Sequence, residues 1–318
     1  MRFSRVLVTG GAGFIGSHLV ERLLEAGIDT VVLDDLSVGK RENVPTNATF
    51  IEGDVRDPHA VSAAMSGVQG VFHLAARVSI RASVEGFYGD AETNLMGTLN
   101  VLRCCATARV NKLVYASSMA VYADSPRPVP IPESYDTVPL SPYGVAKLAC
   151  ERYVRLVATQ AGFQSVALRY FNTYGPRQTF TPYVGVITIF IRRLFLGEAP
   201  VIYGDGEQCR DFVYVGDVAN ATLLAMQSDV SGEVLNVGSG AGTTVNRIAT
   251  LLCHRLDPTI RPQHVAEHAG EVRNSIADIR KAQRLLHYDP QERLEDRIDE
   301  IIAWNRQTSP EAGRGGQE

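Results

Sequence analysis

The sequence lacks the marks of several protein classes. Its five cysteines (Cys104, Cys105, Cys150, Cys209, Cys253) are an odd number and form no CxxC pair. Two are adjacent and the rest scattered, so neither a zinc site nor a disulfide framework is expected. Reduced thiols suit a cytoplasmic setting. No apolar run approaches the roughly 18 residues of a membrane span. The opening MRFSRVLVTGG has no apolar h-region, so no secretory signal is expected. Lys and Arg total 31 against 35 Asp and Glu, a net charge of −4. That balance gives no electrostatic case for nucleic acid. There is no internal repeat. Residues 307–318 are polar and Gly-bearing and are expected to fray. What is present is a chain of 318 residues, 45% hydrophobic. That is enough for two domains or one large α/β unit with its own core.

Short β-branched runs alternate with helical patterns. Strands are expected at 6–9, 30–33, 48–52, 71–74, 112–116 and 165–170. Helices are expected at 14–26, around 61–65, at 92–109 and at 142–160, the last with Pro in its first turn. This alternation predicts an α/β fold, a doubly wound parallel sheet of Rossmann type. After Asn172 the rhythm changes. An apolar helix at 186–196 and a strand at 200–203 lead to returning strands at 212–215 and 234–237, and an amphipathic helix closes the pattern at 295–304. We expect residues 1–172 plus about 212–250 to form a dinucleotide domain. Residues 173–211 plus 251–306 would form a smaller α/β substrate domain.

The first chemical signature is Thr9-Gly10-Gly11-Ala12-Gly13-Phe14-Ile15-Gly16. It follows a strand and opens a helix. Glycine is needed for the tight turn, for backbone approach to a pyrophosphate and for helix–strand packing. The helix N-terminus then offers free N–H groups and a positive dipole end to phosphate. Asp34, at the end of the second strand, suits the adenosine ribose hydroxyls and repels a 2′-phosphate, which favours NAD over NADP. The pattern does not separate Asp34 from Asp35. Asp54, in GDVRD, could accept from the adenine amino group or simply make a turn.

The second signature is Tyr143-Gly-Val-Ala-Lys147. Spacing i, i+4 puts phenol and ammonium on one helix face. A nearby cation favours phenolate, a cationic nicotinamide ring would add to that, and bringing a phenol from about 10 to near 7 amounts to about 4 kcal/mol. Upstream, strand 112–116 runs into Ser117-Ser118, hydroxyls at a strand end where ligands bind such sheets.

Together TGGAGFIG, HLAA (His73–Ala76), ASSMAVY, YGVAK, RYFNTYGPRQ, GDGEQCRDFVYVGDV and NVGSG resemble the extended short-chain dehydrogenase/reductase family, and within it the nucleotide-sugar epimerases of UDP-glucose 4-epimerase type. The resemblance spans about residues 3–305. It implies that Tyr143 is the base, that Lys147 supports it and holds the nicotinamide ribose, and that Ser118 bonds the sugar O4. It implies NAD contacts from Gly10, Gly13, Phe14, Ile15, Gly16, Asp34, Asp35, Leu36, Asp54, Val55, Leu74, Ala75, Ala76, Asn94 and Tyr170. For the UDP-sugar it implies Ser79, Asn172, Val186, Arg192, Tyr203, Arg210 and Arg273. It also implies a homodimer pairing the helices at 92–109 and 142–160.

Two residues refine the expectation. Related dehydratases carry Asp-Glu after the serine, and related decarboxylases carry a Glu at the second position. This chain has Met119 and Ala120, which cannot move a proton at C5 or C6, so simple C4 epimerisation is expected. Ser275 lies where these epimerases gate the sugar C2 substituent, and serine leaves room for N-acetyl. UDP-glucose/UDP-galactose is the first expectation, with UDP-GlcNAc open. UDP-glucuronate is open too, because Arg192 or Arg193 could pair with a C6 carboxylate. His268 stands where many members have a diphosphate arginine, a role Arg273 could take instead. A reductase using free cofactor and a non-catalytic NAD sensor are the competing classes.

Overall fold

The computed structural model describes residues 3–179, 185–267 and 272–308. The chain begins β1 (Arg5–Thr9), α1 (Phe14–Glu25), β2 (Asp29–Asp34), β3 (Thr49–Glu52), α2 (Pro58–Ala64) and β4 (Gly70–His73). It continues through α3 (Ile80–Glu85), α4 (Phe87–Ala91), a π-helical turn (Glu92–Met96), α5 (Gly97–Ala108), β5 (Lys112–Ser118), β6 (Pro130–Ile131), α6 (Pro142–Ala161) and β7 (Gln164–Tyr170). Next come β8 (Asn172–Tyr174), α7 (Val186–Phe195), β9 (Val201–Tyr203), β10 (Cys209–Tyr214), α8 (Val215–Gln227) and β11 (Glu233–Val237). The last elements are β12 (Gly242–Thr244), α9 (Val245–Leu256), β13 (Gln263–Val265), β14 (Asn274–Ala277), α10 (Arg280–Leu286) and α11 (Leu294–Thr308).

Seven parallel strands form the main sheet in the order β11-β7-β5-β4-β1-β2-β3. The strand order reverses between β1 and β4, which opens a crevice at their C-terminal ends. Both faces are covered, so the central strands are apolar throughout rather than alternating. Val32 packs with Leu19, Val20 and Leu23 of α1 and Val218 of α8. Its neighbours Val31 and Leu33 face Val61 of α2, Val101 of α5 and Val154 of α6. The doubly wound α/β expectation holds.

Two elements differ from the sequence pattern. The helix expected at 92–109 starts earlier, at Phe87, and carries the π-helical turn; Arg109, at φ 53°, ends it in the left-handed region. The strand expected at 212–215 forms as β10, yet it does not return to the main sheet. It pairs with β8 and β14 in parallel and with β12 antiparallel, in a second, five-stranded sheet. The reason is Asp211, fully buried, whose carboxylate accepts the N–H groups of Ser239, Gly240 and Ala277. Those partners lie too far along the chain for a local pattern to reveal. A third core joins α7 (Phe190, Ile191), α9 (Ile248, Leu252) and α11 (Ile298, Ile301). No helix among the described residues is long and apolar enough to cross a membrane.

Candidate active site

The glycine turn sits at the β1 end of the crevice. Gly10 adopts φ +73°, and a Cβ there would meet Ala75 N at 2.7 Å. A Cβ on Gly16 would collide with the Gly10 carbonyl, and one on Gly13 would lie 3.2 Å from the same oxygen. The turn is therefore packed backbone on backbone, with Gly13 at the N-cap of α1 and making no side-chain cap. Phe14 and Ile15, half-buried, begin the helix. A phosphate finds unscreened amides there.

Asp34 and Asp35 now separate. Asp34 is buried and accepts Ala12 N–H and Leu36 N–H, both at 2.9 Å, which aims it at the glycine turn. Desolvation raises its pKa. Leu36 takes φ 57° to let the chain turn around it. Asp35 is exposed and closes its own turn on Ser37. Asp54 is held by Arg56 through two contacts to one oxygen, 2.8 and 2.5 Å, which lowers its pKa. The next residue, Val55, is buried against Gly97. The glycine cradle and the inward carboxylate fit an adenine dinucleotide.

The loop after β4 carries Leu74, Ala75 and Ala76, all half-buried against the turn. A buried chain that the sequence motifs did not flag holds it. Ala75 N–H donates to Thr9 Oγ1 at 3.2 Å, and Thr9 Oγ1 lies 2.7 Å from His73 Nδ1. His73 Nε2 lies 3.0 Å from Thr98 Oγ1, which donates to the Asn94 carbonyl at 2.6 Å. With that hydroxyl donating onward, Nε2 must carry the ring hydrogen and Nδ1 must accept. Burial, with Lys147 adding repulsion, lowers His73 to about 3 and keeps it neutral. Asn94, in the π-helical turn, exchanges hydrogen bonds with both backbone groups of Arg77 at 2.9 Å and donates to Asp90. Its amide is occupied in clamping the loop, so it acts on the site by position. The "HLAA" string marked the strand end, but no spacing rule pairs a histidine with hydroxyls 64 and 25 residues away.

Ser118, Tyr143 and Lys147 converge at the end of β5. Pro142 starts α6, and Ser141 caps it through Gly144 N–H. Gly144 is forced by space, since a Cβ would strike the Ala120 carbonyl. Tyr143 is 7% and Lys147 3% exposed. Lys147 Nζ donates to the Ala116 carbonyl at 2.7 Å and lies 5.7 Å from the Tyr143 ring centre. Burial lowers Lys147 to about 8. Burial raises Tyr143 to about 12, with a hydrogen bond to Ser118 pulling down and Asp90 pushing up. Among the protein's own groups, burial outweighs the Ser118 hydrogen bond. Lys147 directs its N–H to the Ala116 carbonyl.

The substrate side is assembled differently. Asn172 opens β8 and donates to Ser275 Oγ at 3.3 Å; Ser275 is fully buried on β14. Arg210 on β10 donates to the carbonyls of Val272 and Arg273. Arg273 forms a two-pronged pair with Asp205 at 2.9 and 2.6 Å. Neither guanidinium is presented bare to a diphosphate. Ser79 caps α3 through Ala82 N–H, so its hydroxyl has a structural task. The Tyr170 phenol lies 2.7 Å from Thr222 on α8. Arg193 binds the Ala199 carbonyl and Glu198 at the end of α7, and Arg192, like Arg193, is half-buried on that helix. Val186 is half-buried at the start of α7, and Tyr203 is exposed at the end of β9. His268 and Gly270 lie outside the described residues. Among the described residues no group of His, Cys, Asp or Glu could hold a metal ion.

A dinucleotide cradle whose crevice ends in a half-buried hydroxyl beside a buried phenol and ammonium defines an enzyme that moves hydride at an alcohol carbon. The chain belongs to the NAD dependent epimerase/dehydratase family, whose model matches residues 6–238. It is similar to a UDP-glucose 4-epimerase of Thermotoga maritima solved with UDP-glucose: 40% identity, TM-score 0.91, covering 96% of this chain and 99% of that one. It is also similar to a UDP-N-acetylglucosamine 4-epimerase of Methanobrevibacter ruminantium solved with UDP-N-acetylmuramic acid (37%, TM-score 0.91, 96% and 99%). A UDP-glucose 4-epimerase of Thermus thermophilus in complex with NAD matches at 37%, TM-score 0.88, again over 96% and 99%.

Proposed function

We propose that this NAD-dependent UDP-sugar epimerase inverts C4 of a UDP-hexose, with UDP-glucose and UDP-galactose as its substrates. The observation that carries the reading is the half-buried Ser118 beside buried Tyr143 and Lys147, with Met119 and Ala120 directly after the serine bringing no proton-transfer group. Bound NAD would supply a reversible hydride acceptor for the sugar C4 and a positive charge on its oxidised ring. Tyr143 removes the O4 proton, with Ser118 holding the oxygen and relaying the proton. Lys147 orients the nicotinamide ribose and, anchored on Ala116, keeps a positive charge by the phenol. Gly10, Gly13 and Gly16 seat the pyrophosphate, and Asp34 takes the adenosine ribose.

The second sheet and the α7–α9–α11 core form the nucleotide-sugar unit, with Asn172 and Arg210 toward the diphosphate. Phe87 (64% exposed), Tyr88 (72%), Met96, Tyr153 and Leu156 leave an apolar face on α4, the π-helical turn and α6. Such a face suits a homodimer of paired helices. Five buried free cysteines suit the cytoplasm.

The test is product chromatography after incubating purified enzyme, without added NAD, with UDP-glucose, UDP-GlcNAc and UDP-glucuronate in turn. Fastest conversion of UDP-glucose to its C4 epimer is expected. Faster UDP-GlcNAc turnover would reassign the substrate to Ser275's room at C2. Faster uronate turnover would reassign it to Arg192. No epimer from any of them would defeat the reading.

A further inference from the structure

Beneath the reacting residues lies a buried ion pair that the mechanism above does not use. Glu151 on α6 and Arg169 on β7 are 5% and 4% exposed. The guanidinium meets the carboxylate in a fork: Nε to Oε1 at 2.9 Å and Nη2 to Oε2 at 2.7 Å. Ser117 Oγ donates to the same Oε1 at 2.5 Å. Arg169 Nη1 donates to the Glu133 carbonyl, and its guanidinium lies 4.6 Å from the Tyr122 ring centre. The Tyr122 hydroxyl donates to Asn236 Oδ1, and Asn236 in turn binds Glu133 and the carbonyls of Ile131 and Asp278.

The location gives this network its meaning. Ser117 is the residue before Ser118. Glu151 is one helical turn after Lys147 and two after Tyr143. Arg169 pairs in register with Ser117, and Tyr170 with Ser118. One cluster thus ties the strand that presents the serine to the helix that presents the phenol, and both to β6 and β14 of the second sheet. Stability does not explain it. A buried ion pair is generally no more stabilising than apolar side chains of the same volume, because desolvation offsets the attraction. What a two-bond fork supplies that apolar packing does not is fixed distance and angle.

We propose that Glu151 and Arg169, with Ser117, are positioning residues that set the Ser118–Tyr143 geometry needed for proton and hydride transfer. This inference rests on the epimerase reading above. It predicts damage to the chemical step rather than to binding.

The decisive variant is the double substitution Glu151→Leu/Arg169→Met, which removes both charges together. It should melt within a few degrees of the wild type, retain its NAD through gel filtration and keep the KM for UDP-glucose within about threefold, while kcat falls at least about tenfold. Arg169→Lys keeps the charge and loses the fork, so it should not rescue kcat. Should the double variant fail to fold, Ser117→Ala removes a single bond and should lower kcat several-fold at unchanged KM. A folded double variant with kcat within twofold of wild type overturns the proposal. So does a loss of kcat that merely tracks losses in melting temperature and NAD retention, or Ser117→Ala with unchanged kcat.

A substrate-free readout separates this failure from that of the epimerase reading. Tyr143 faces Ser118, Asp90 and Lys147, and its ionisation can be followed in the NAD-loaded protein by ultraviolet difference against Tyr143→Phe. Without the clamp the Ser118 bond loosens and the phenol titrates at higher pH. An unchanged titration overturns the positioning role even if UDP-glucose proves not to be the substrate.

Discussion

The two halves of the site are built on different principles. On the cofactor side, position comes from backbone. Gly10 and Gly16 are closed on neighbouring main chain, Asp34 is fixed by two amides, and His73 is locked between two hydroxyls. On the substrate side, position comes from long side chains reaching across the second sheet. Arg210 grips carbonyls at 272 and 273, and Arg273 is paired to Asp205 near the surface. The first half is held by main-chain contacts formed on folding. The second half rests on guanidinium groups that already hold partners within the protein.

The largest effect expected from this contrast falls on the cofactor side. Tyr143→Phe should lower kcat by about 10³-fold or more, within the range of a lost acid–base group, while NAD remains bound; stopped-flow or product assays measure it. Loss of less than tenfold would remove Tyr143 from the chemistry.

His73 sharpens the same point through pH. Its pKa in the fold, about 3, lies below the ordinary 6.5. The unfolded chain therefore binds more protons between those values, and stability falls as pH drops from 6.5 toward 3, by roughly 5 kcal/mol at the lower end. Chemical denaturation across that window should show the loss, and a His73→Gln variant should show less of it. An identical acid limb in both would place the titration elsewhere.

A smaller effect is expected at Asp34. Asp34→Asn removes the charge that receives the ribose and should weaken NAD about 10- to 100-fold, with NADP weakened less, as measured by calorimetry. The smallest lies on the substrate side: Arg273→Ala breaks a half-exposed pair and should change the KM for UDP-glucose less than threefold. A tenfold rise would return Arg273 to the diphosphate.

The same contrast explains what could be read from sequence. The glycine turn, Asp34, Ser118 and the Tyr143–Lys147 spacing are local patterns, each within one turn of helix or at one strand end. The doubly wound parallel sheet followed from strand–helix alternation, while its strand order came only with the structure. The substrate side depended on partners far apart in the chain: Arg210 with 272 and 273, Asn172 with Ser275, Asp211 with Ala277. β10 accordingly formed as a strand but joined a different sheet from the expected one. Nor does i, i+4 spacing report burial, which raises the Tyr143 phenol.

The most direct measurement follows the C4 hydrogen itself. UDP-glucose deuterated at C4, turned over in ordinary water with no added cofactor, should yield the C4 epimer with its deuterium retained, since the same hydride leaves and returns within one site. Product whose C4 deuterium has been replaced by solvent hydrogen would contradict hydride transfer to bound NAD, and with it the roles given to Ser118, Tyr143 and Lys147.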